Sequence, residues 1–280
     1  MHKSKTMILF GIIVLLLNAC STVPSGSDRT NSALHKAEMY GWKALEIDAG
    51  DFRLLSLLPE VQPSGESLTV FIEGDGLAWL SRSKPSFDPT PINPVSLNLA
   101  LQARTNTAIA YLARPCQYLI EKNANCRQKY WTSHRFAPEV IEAESIALDK
   151  LKIATGTSTL RLVGYSGGGA VASLLAAYRD DVSELITIAG NLDHHTWTTQ
   201  LGLSPLSGSL NPLDVQQQIA QIPQLHLIGE KDQIMPARIV KRFIDNASPN
   251  TLIKIVPGAD HHCCWETELN AFLLFDKRIN

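Results

Sequence analysis

Short apolar runs alternate with longer amphipathic stretches along most of this chain. Residues 42–47 and 52–58 read as two strands joined across Asp48-Ala49-Gly50-Asp51. Residues 68–72 form a strongly apolar run of strand length that stops at Glu73-Gly74-Asp75-Gly76, before a loop rich in Pro and Ser. Residues 95–104 carry apolar positions at helical spacing, and 107–112 read as another buried strand. Residues 138–154 predict an amphipathic helix, with Val140, Ile141, Ile146, Leu148 and Leu151 among its apolar positions and Pro138 in its first turn. Further strands are predicted at 160–163, 184–189, 225–228 and 252–256, and helices at 170–177, 213–222, 237–246 and 265–275. Two stretches, 113–136 and 191–212, show no clear period. Strands alternating with helices predict an α/β fold, a mostly parallel central sheet with helices on both faces. The first two strands predict an antiparallel N-terminal edge.

The N-terminus follows another pattern. His2, Lys3 and Lys5 precede an apolar run at 7–17, of signal-peptide length and short for a membrane span. Leu17-Asn18-Ala19-Cys20 resembles a bacterial lipobox, with Asn18 in place of the usual small or apolar residue. The resemblance implies cleavage before Cys20 and lipid attachment at Cys20. With Ser21 following, it implies an outer-membrane lipoprotein facing the periplasm of a bacterial envelope. An ordinary secretory signal cut after Ala19 is the alternative. Residues 21–32 are small and polar and read as a flexible tether. The expected division is a signal peptide at 1–19, a lipidated Cys and tether at 20–35, and one domain at 36–280.

Composition changes this picture little. A 45% hydrophobic share supports a sizeable core. The formal net charge is −2, with no basic block, and gives no footprint for nucleic acid. Apart from Cys20, the cysteines are Cys116, Cys126, Cys263 and Cys264. Cys116 and Cys126 bracket a short polar loop and are the expected disulfide. Cys263-Cys264 is then a strained vicinal bridge or two thiols. The spacing matches no zinc pattern, and no metal or cofactor is expected.

The junction Gly164-Tyr165-Ser166-Gly167-Gly168 carries the candidate chemistry. A Ser between glycines, after a buried strand and before a helix, is the G-x-S-x-G elbow. The bend brings side chains two positions either side into collision, so Gly stands there. The strained turn lifts the hydroxyl out of the sheet, and the helix start offers unpaired N–H groups to a developing negative charge. A Ser hydroxyl needs a base to take its proton, and the base needs an orienting acid. In an open parallel sheet such groups collect beyond the carboxyl ends of strands. Downstream, one strand ends in Gly229-Glu230-Lys231-Asp232 and the next in Pro257-Gly258-Ala259-Asp260-His261-His262.

The order Ser, Asp, His, each after a successive strand, resembles the α/β-hydrolase superfamily. The elbow, the Gly-x-x-Asp-x-x-x-Pro turn and the Gly-x-x-His turn carry the likeness over about residues 40–280, and the lipobox points to a bacterial lipoprotein branch. The resemblance implies Ser166 as nucleophile, His261 as base and Asp232 as acid. Asp232 also reads as the cap of the helix near Pro236, Asp193 is the alternative acid, and Glu230 is a weaker one. His262 reads as a surface or supporting residue. His194 and His195 read as solvated loop residues or as part of a substrate entrance. By the same resemblance the oxyanion donors are the amides of Gly167 and Asp75, with Glu73 where much of the family has His. Within 113–136, Trp131 and Arg135 are candidates for substrate contact, and equally for the loop's own core and ion pair. Trp79, Trp197 and Trp265 share those two readings. The implied activity is a cofactor-free serine hydrolase, esterase- or lipase-like, acting on a small-molecule or lipid acyl substrate. A non-catalytic binding or assembly module would keep the same fold.

Overall fold

The computed structural model describes residues 23–275. The expected signal peptide at 1–19 and the expected lipidation site Cys20 lie outside the described residues. The central sheet has eight strands: β1 (Trp42–Ala49), β2 (Phe52–Pro59), β3 (Ser67–Ile72), β4 (Ala108–Leu112), β5 (Thr159–Tyr165), β6 (Val182–Ile188), β7 (Gln224–Gly229) and β8 (Thr251–Val256). Their order across the sheet is β1-β2-β4-β3-β5-β6-β7-β8. β1 and β2 form an antiparallel hairpin, and β2 meets β4 antiparallel. Every pairing from β4 to β8 is parallel. A two-stranded ribbon, Trp79–Ser81 against Lys84–Pro85, stands in the loop after β3.

Pleating sends alternate strand residues to opposite faces, and each face carries its own core. On one, Leu68, Val70, Leu160 and Leu162 pack with Leu148 and Leu151 of α3 (Pro138–Thr155) and Leu174 and Leu175 of α4 (Gly167–Tyr178). On the other, Phe71, Val163, Ile186 and Ile188 share a cluster with α1 (Gly26–Met39), α2 (Val95–Gln102) and α7 (Glu266–Phe275). Burial on both sides explains why β3, β4 and β6 read as continuous apolar runs. It also holds rigid the strand ends on which the candidate site stands.

Three expectations are corrected. The stretch read as tether up to residue 35 is helical from Gly26. Ser25 and Asp28 form a reciprocal capping box, Ala33 and Ala37 are buried, and Arg29 donates to the Thr90 carbonyl and pairs with Asp88 at 3.7 Å. Residues 191–212, read as irregular, contain α5 (His194–Leu201). Asp193 caps its start, and Gly202 in the left-handed conformation ends it. The helix expected at 237–246 is only α6 (Lys241–Asp245), because 237–240 are taken up by a turn in which the Ile239 amide meets the Pro236 carbonyl. Residues Pro212–Ile219 form a 3₁₀-helix, near the short helix expected there.

Cys116 is bonded to Cys126 and Cys263 to Cys264. The first closes a loop of sequence separation 10, which the chain-entropy model values at roughly 2–3 kcal/mol. The double variant Cys116→Ala/Cys126→Ala is expected to lose about that much unfolding free energy in urea titration.

Candidate active site

β5 runs straight into Ser166, which has φ 52° and ψ −118° and stands at the N-cap of α4. A non-glycine residue rarely tolerates that backbone, and such strain concentrates at functional sites. The surrounding glycines are dictated by contact. A Cβ on Gly164 would lie 2.2 Å from the Gly168 carbonyl oxygen, and one on Gly168 would lie 2.4 Å from that of Ile72.

The Ser166 Oγ lies 3.0 Å from His261 Nε2, and His261 Nδ1 lies 2.8 Å from Asp232 Oδ2. His261 follows β8 and Asp232 follows β7, so the three meet along the carboxyl edge of the sheet, with β6 between the strand of Ser166 and that of Asp232. Asp232 is buried. Its second oxygen accepts from the amides of Ile234 (2.8 Å) and Met235 (2.7 Å), which leaves Oδ2 for the imidazole. Burial acts to raise the Asp232 carboxyl. The His261 hydrogen bond and charge, with the two amides, outweigh it and hold the group below the ordinary carboxylate value. Tyr165, beside Ser166, donates from its hydroxyl to the His261 carbonyl at 2.8 Å.

The competing residues sit elsewhere. Asp193 is buried as the α5 cap, accepting from the amide and hydroxyl of Thr196 and from the Asn211 amide group. Glu230 accepts from the Gly258 amide on the surface. His262 is exposed on the rim of the cleft. His194 is buried inside α5 and His195 is exposed, and neither lines the cleft. Trp265 is wholly buried in the core, and Trp131 is buried with its indole N–H on the Ser86 carbonyl. Trp79, Arg135 and Trp197 do line the cleft.

The loop after β3 is clamped against the elbow. Glu73 is fully enclosed, and its carboxylate accepts from the amides of Gly74, Ser96 and Leu97 and from the Tyr111 hydroxyl. It therefore sits at the positive end of α2. Burial pushes its carboxyl up to about 7, against the pull of those donors. The Gln117 amide group holds the Gly74 carbonyl at 2.9 Å. The Asp75 carboxylate lies against Gly167, pairs with Arg135 at 2.5 Å, and faces Arg114 at 3.6 Å. Among the described residues, the main-chain amides of Asp75 and Gly167 have no hydrogen-bond partner in the protein. Gln117 and Arg114 escaped the sequence reading, which marked Glu73 only as a departure in the loop and Tyr165 only as part of the elbow. The turn sequence around Gly74 and Gly76 marks the loop but not what pins it.

A carboxyl with a raised value in the folded state stabilises fully below its unfolded value, and that contribution is lost as pH rises through the folded value. For Glu73 the window runs from about 4.5 to about 7. His226, buried and pushed down to about 3, acts in the opposite sense, so the variant-minus-wild-type difference isolates Glu73. In urea titrations, Glu73→Gln is expected to gain on the order of 3 kcal/mol relative to wild type between pH 5 and pH 8.

Ser166, His261, Asp75, Trp79 and Trp197 line one cleft of about 370 Å³. A second cavity of about 430 Å³ shares Trp79, Arg135 and Trp197 as its wall, and adds Leu203, Pro205 and Leu206. Among the described residues, no group of three His, Cys, Asp or Glu side chains is placed to hold a metal ion.

A strained Ser at the end of β5, an acid after β7 and a His after β8, on a sheet with an antiparallel N-terminal edge, define the α/β-hydrolase fold, and this chain has it. An α/β serine hydrolase homologue from Coxiella burnetii superposes with a TM-score of 0.58 at 16% identity, covering 82% of this chain and 95% of that one. Est1E from Butyrivibrio proteoclasticus gives 0.57 at 16% identity, covering 82% and 95%, and is also known with ferulic acid bound. A lidless α/β serine hydrolase from Xanthomonas campestris gives 0.54 at 19% identity, covering 83% and 91%. No protein-family model and no curated protein sequence matches the chain.

Proposed function

We propose that this protein is a serine hydrolase that cleaves esters of small molecules or lipids through an acyl-enzyme. The unbroken hydrogen-bonded line from Ser166 through His261 to Asp232, at the floor of a cleft, carries the reading. Ser166 Oγ attacks the acyl carbon as His261 Nε2 takes its proton. Asp232 holds the Nδ1–H and balances the imidazolium. The carbonyl oxygen becomes an oxyanion facing the amides of Gly167 and Asp75, and its collapse expels the alcohol, which takes the proton from His261. Water, activated by the same imidazole, then releases the acid and restores the serine. A fluorophosphonate probe is the direct test. Labelling of the wild type and its loss in Ser166→Ala support the reading. A folded protein that never labels favours a non-catalytic binding module.

The substrate's remote portion is assigned to the second cavity, whose Trp and Leu walls suit an apolar group. Trp197→Ala is therefore expected to raise KM about tenfold for p-nitrophenyl octanoate and under threefold for the acetate, in line with the loss of one large apolar contact. The N-terminal pattern supports lipid anchoring at Cys20 in the outer membrane. Cys20→Ser is expected to move the protein from the membrane fraction to the soluble fraction of envelope extracts.

A further inference from the structure

We infer that Arg135 is a positioning residue for the reaction, one that keeps the Asp75 carboxylate neutralised beside the oxyanion site. The inference rests on the hydrolase reading above. Asp75 has two parts with opposite electrostatic effects. Its amide is one of the two free donors next to the nucleophile, while its side chain is an anion pressed against the other donor residue. A Cβ built on Gly167 would come within 2.1 Å of Asp75 Oδ1, so the carboxylate occupies the space a side chain at 167 would fill. Negative charge developing on a substrate oxygen nearby would be opposed by that carboxylate. The Asp75 side chain is only 16% exposed, so water and salt screen that opposition only in part.

Two guanidinium groups face the carboxylate, and their commitments differ. Arg114 Nη1 stands 3.6 Å from Asp75 Oδ1, but its Nε lies 3.0 Å from Glu144 Oε1, and another nitrogen donates to the Arg135 carbonyl. Glu144 is fully buried, and its carboxyl is pushed up to about 7 by burial against the pull of Arg114. Arg114 thus divides its charge between two acids. Arg135 has one carboxylate partner, Asp75 Oδ2 at 2.5 Å, with its Nε on the Thr132 carbonyl at 2.9 Å. Its guanidinium is 5.7 Å from the Trp197 ring centre, and Arg135 is 5% exposed. Arg135 is therefore the cation dedicated to Asp75.

A bridge that merely ties two loops together would suffer equally from the loss of either partner. A neutralising role is asymmetric, because removing the cation strands an anion by the oxyanion and removing the anion does not. The test measures kcat and KM for p-nitrophenyl butyrate in the full chain, with circular dichroism to check folding. Arg135→Gln is expected to lower kcat about 100-fold with KM changed under threefold, on the scale of losing one oxyanion donor. Asp75→Asn is expected to lose less than Arg135→Gln. The double variant Asp75→Asn/Arg135→Gln is expected to regain at least tenfold in kcat over Arg135→Gln. A double variant no faster than Arg135→Gln, an Arg135→Gln that keeps full kcat, or an Asp75→Asn as damaging as Arg135→Gln overturns the inference. If Arg135→Gln does not fold, Arg135→Lys keeps the charge without the fork, and a kcat within fivefold of wild type supports neutralisation where a larger loss overturns it. Failure of the hydrolase reading looks different: folded wild type then neither turns over the ester nor takes the fluorophosphonate.

Discussion

Ser166→Ala is expected to abolish ester turnover, with kcat falling by about 10⁶-fold while the protein stays folded. The size follows from the role. Without Oγ no acyl-enzyme forms, and only oriented water in the cleft remains to attack. The fold should survive because an alanine adds nothing to the strained corner, whose backbone is held by the Ser166 amide on the Ile188 carbonyl and by the Gly169 and Asn191 amides on the Ser166 carbonyl. Stopped assays against p-nitrophenyl butyrate, with urea melts of both proteins, check the two halves. Residual activity above about 1% of wild type would remove Ser166 from the nucleophile role.

Asp232→Asn is expected to cost about 10⁴-fold in kcat, because an amide at that position disfavours the tautomer and the charged state that His261 needs. Asp193→Asn is expected to leave turnover within threefold and to act on stability instead. Its carboxylate caps α5 and takes the Thr196 hydroxyl, and an asparagine keeps only part of that acceptor capacity. Side-by-side turnover and melting separate the two aspartates, and the opposite pattern would transfer the acid's role to Asp193. Because the Asp232 carboxyl is held low in the folded protein, the hydrogen bonds it accepts contribute stability above the unfolded carboxylate value that is lost as pH falls. Asp232→Asn should therefore flatten the acid limb of the stability curve.

The parts legible in the sequence were those where one residue type answers one local demand. β3, β4 and β6 are buried on both faces and read as apolar runs. Ser166, Asp232 and His261 each come soon after a strand end, and that placement together with the family resemblance proposed their meeting. α1 was read as tether because its buried side is Arg29, Ala33 and Ala37, too small and too charged to give a hydrophobic period. Ser25 and Asp28 were the visible signal. α5 was missed for a similar reason: His, Thr and Gln dominate it, and its caps at Asp193 and Gly202 announce it better than its face. The clamp on the β3 loop was beyond reach. Asp75 meets Arg135 across 60 residues of chain, and an acidic residue in a Gly-rich turn ordinarily means water, not an internal guanidinium.

The Tyr165 hydroxyl, fastened to the main chain of His261, ties the stretch that carries Ser166 to the one that carries His261. The spacing between hydroxyl and imidazole is then inherited from the sheet and owes little to the path the polypeptide takes afterwards. Natural variants of this chain should accordingly keep a tyrosine at 165 wherever they keep His261, whatever becomes of the exposed Cys263-Cys264 pair that follows.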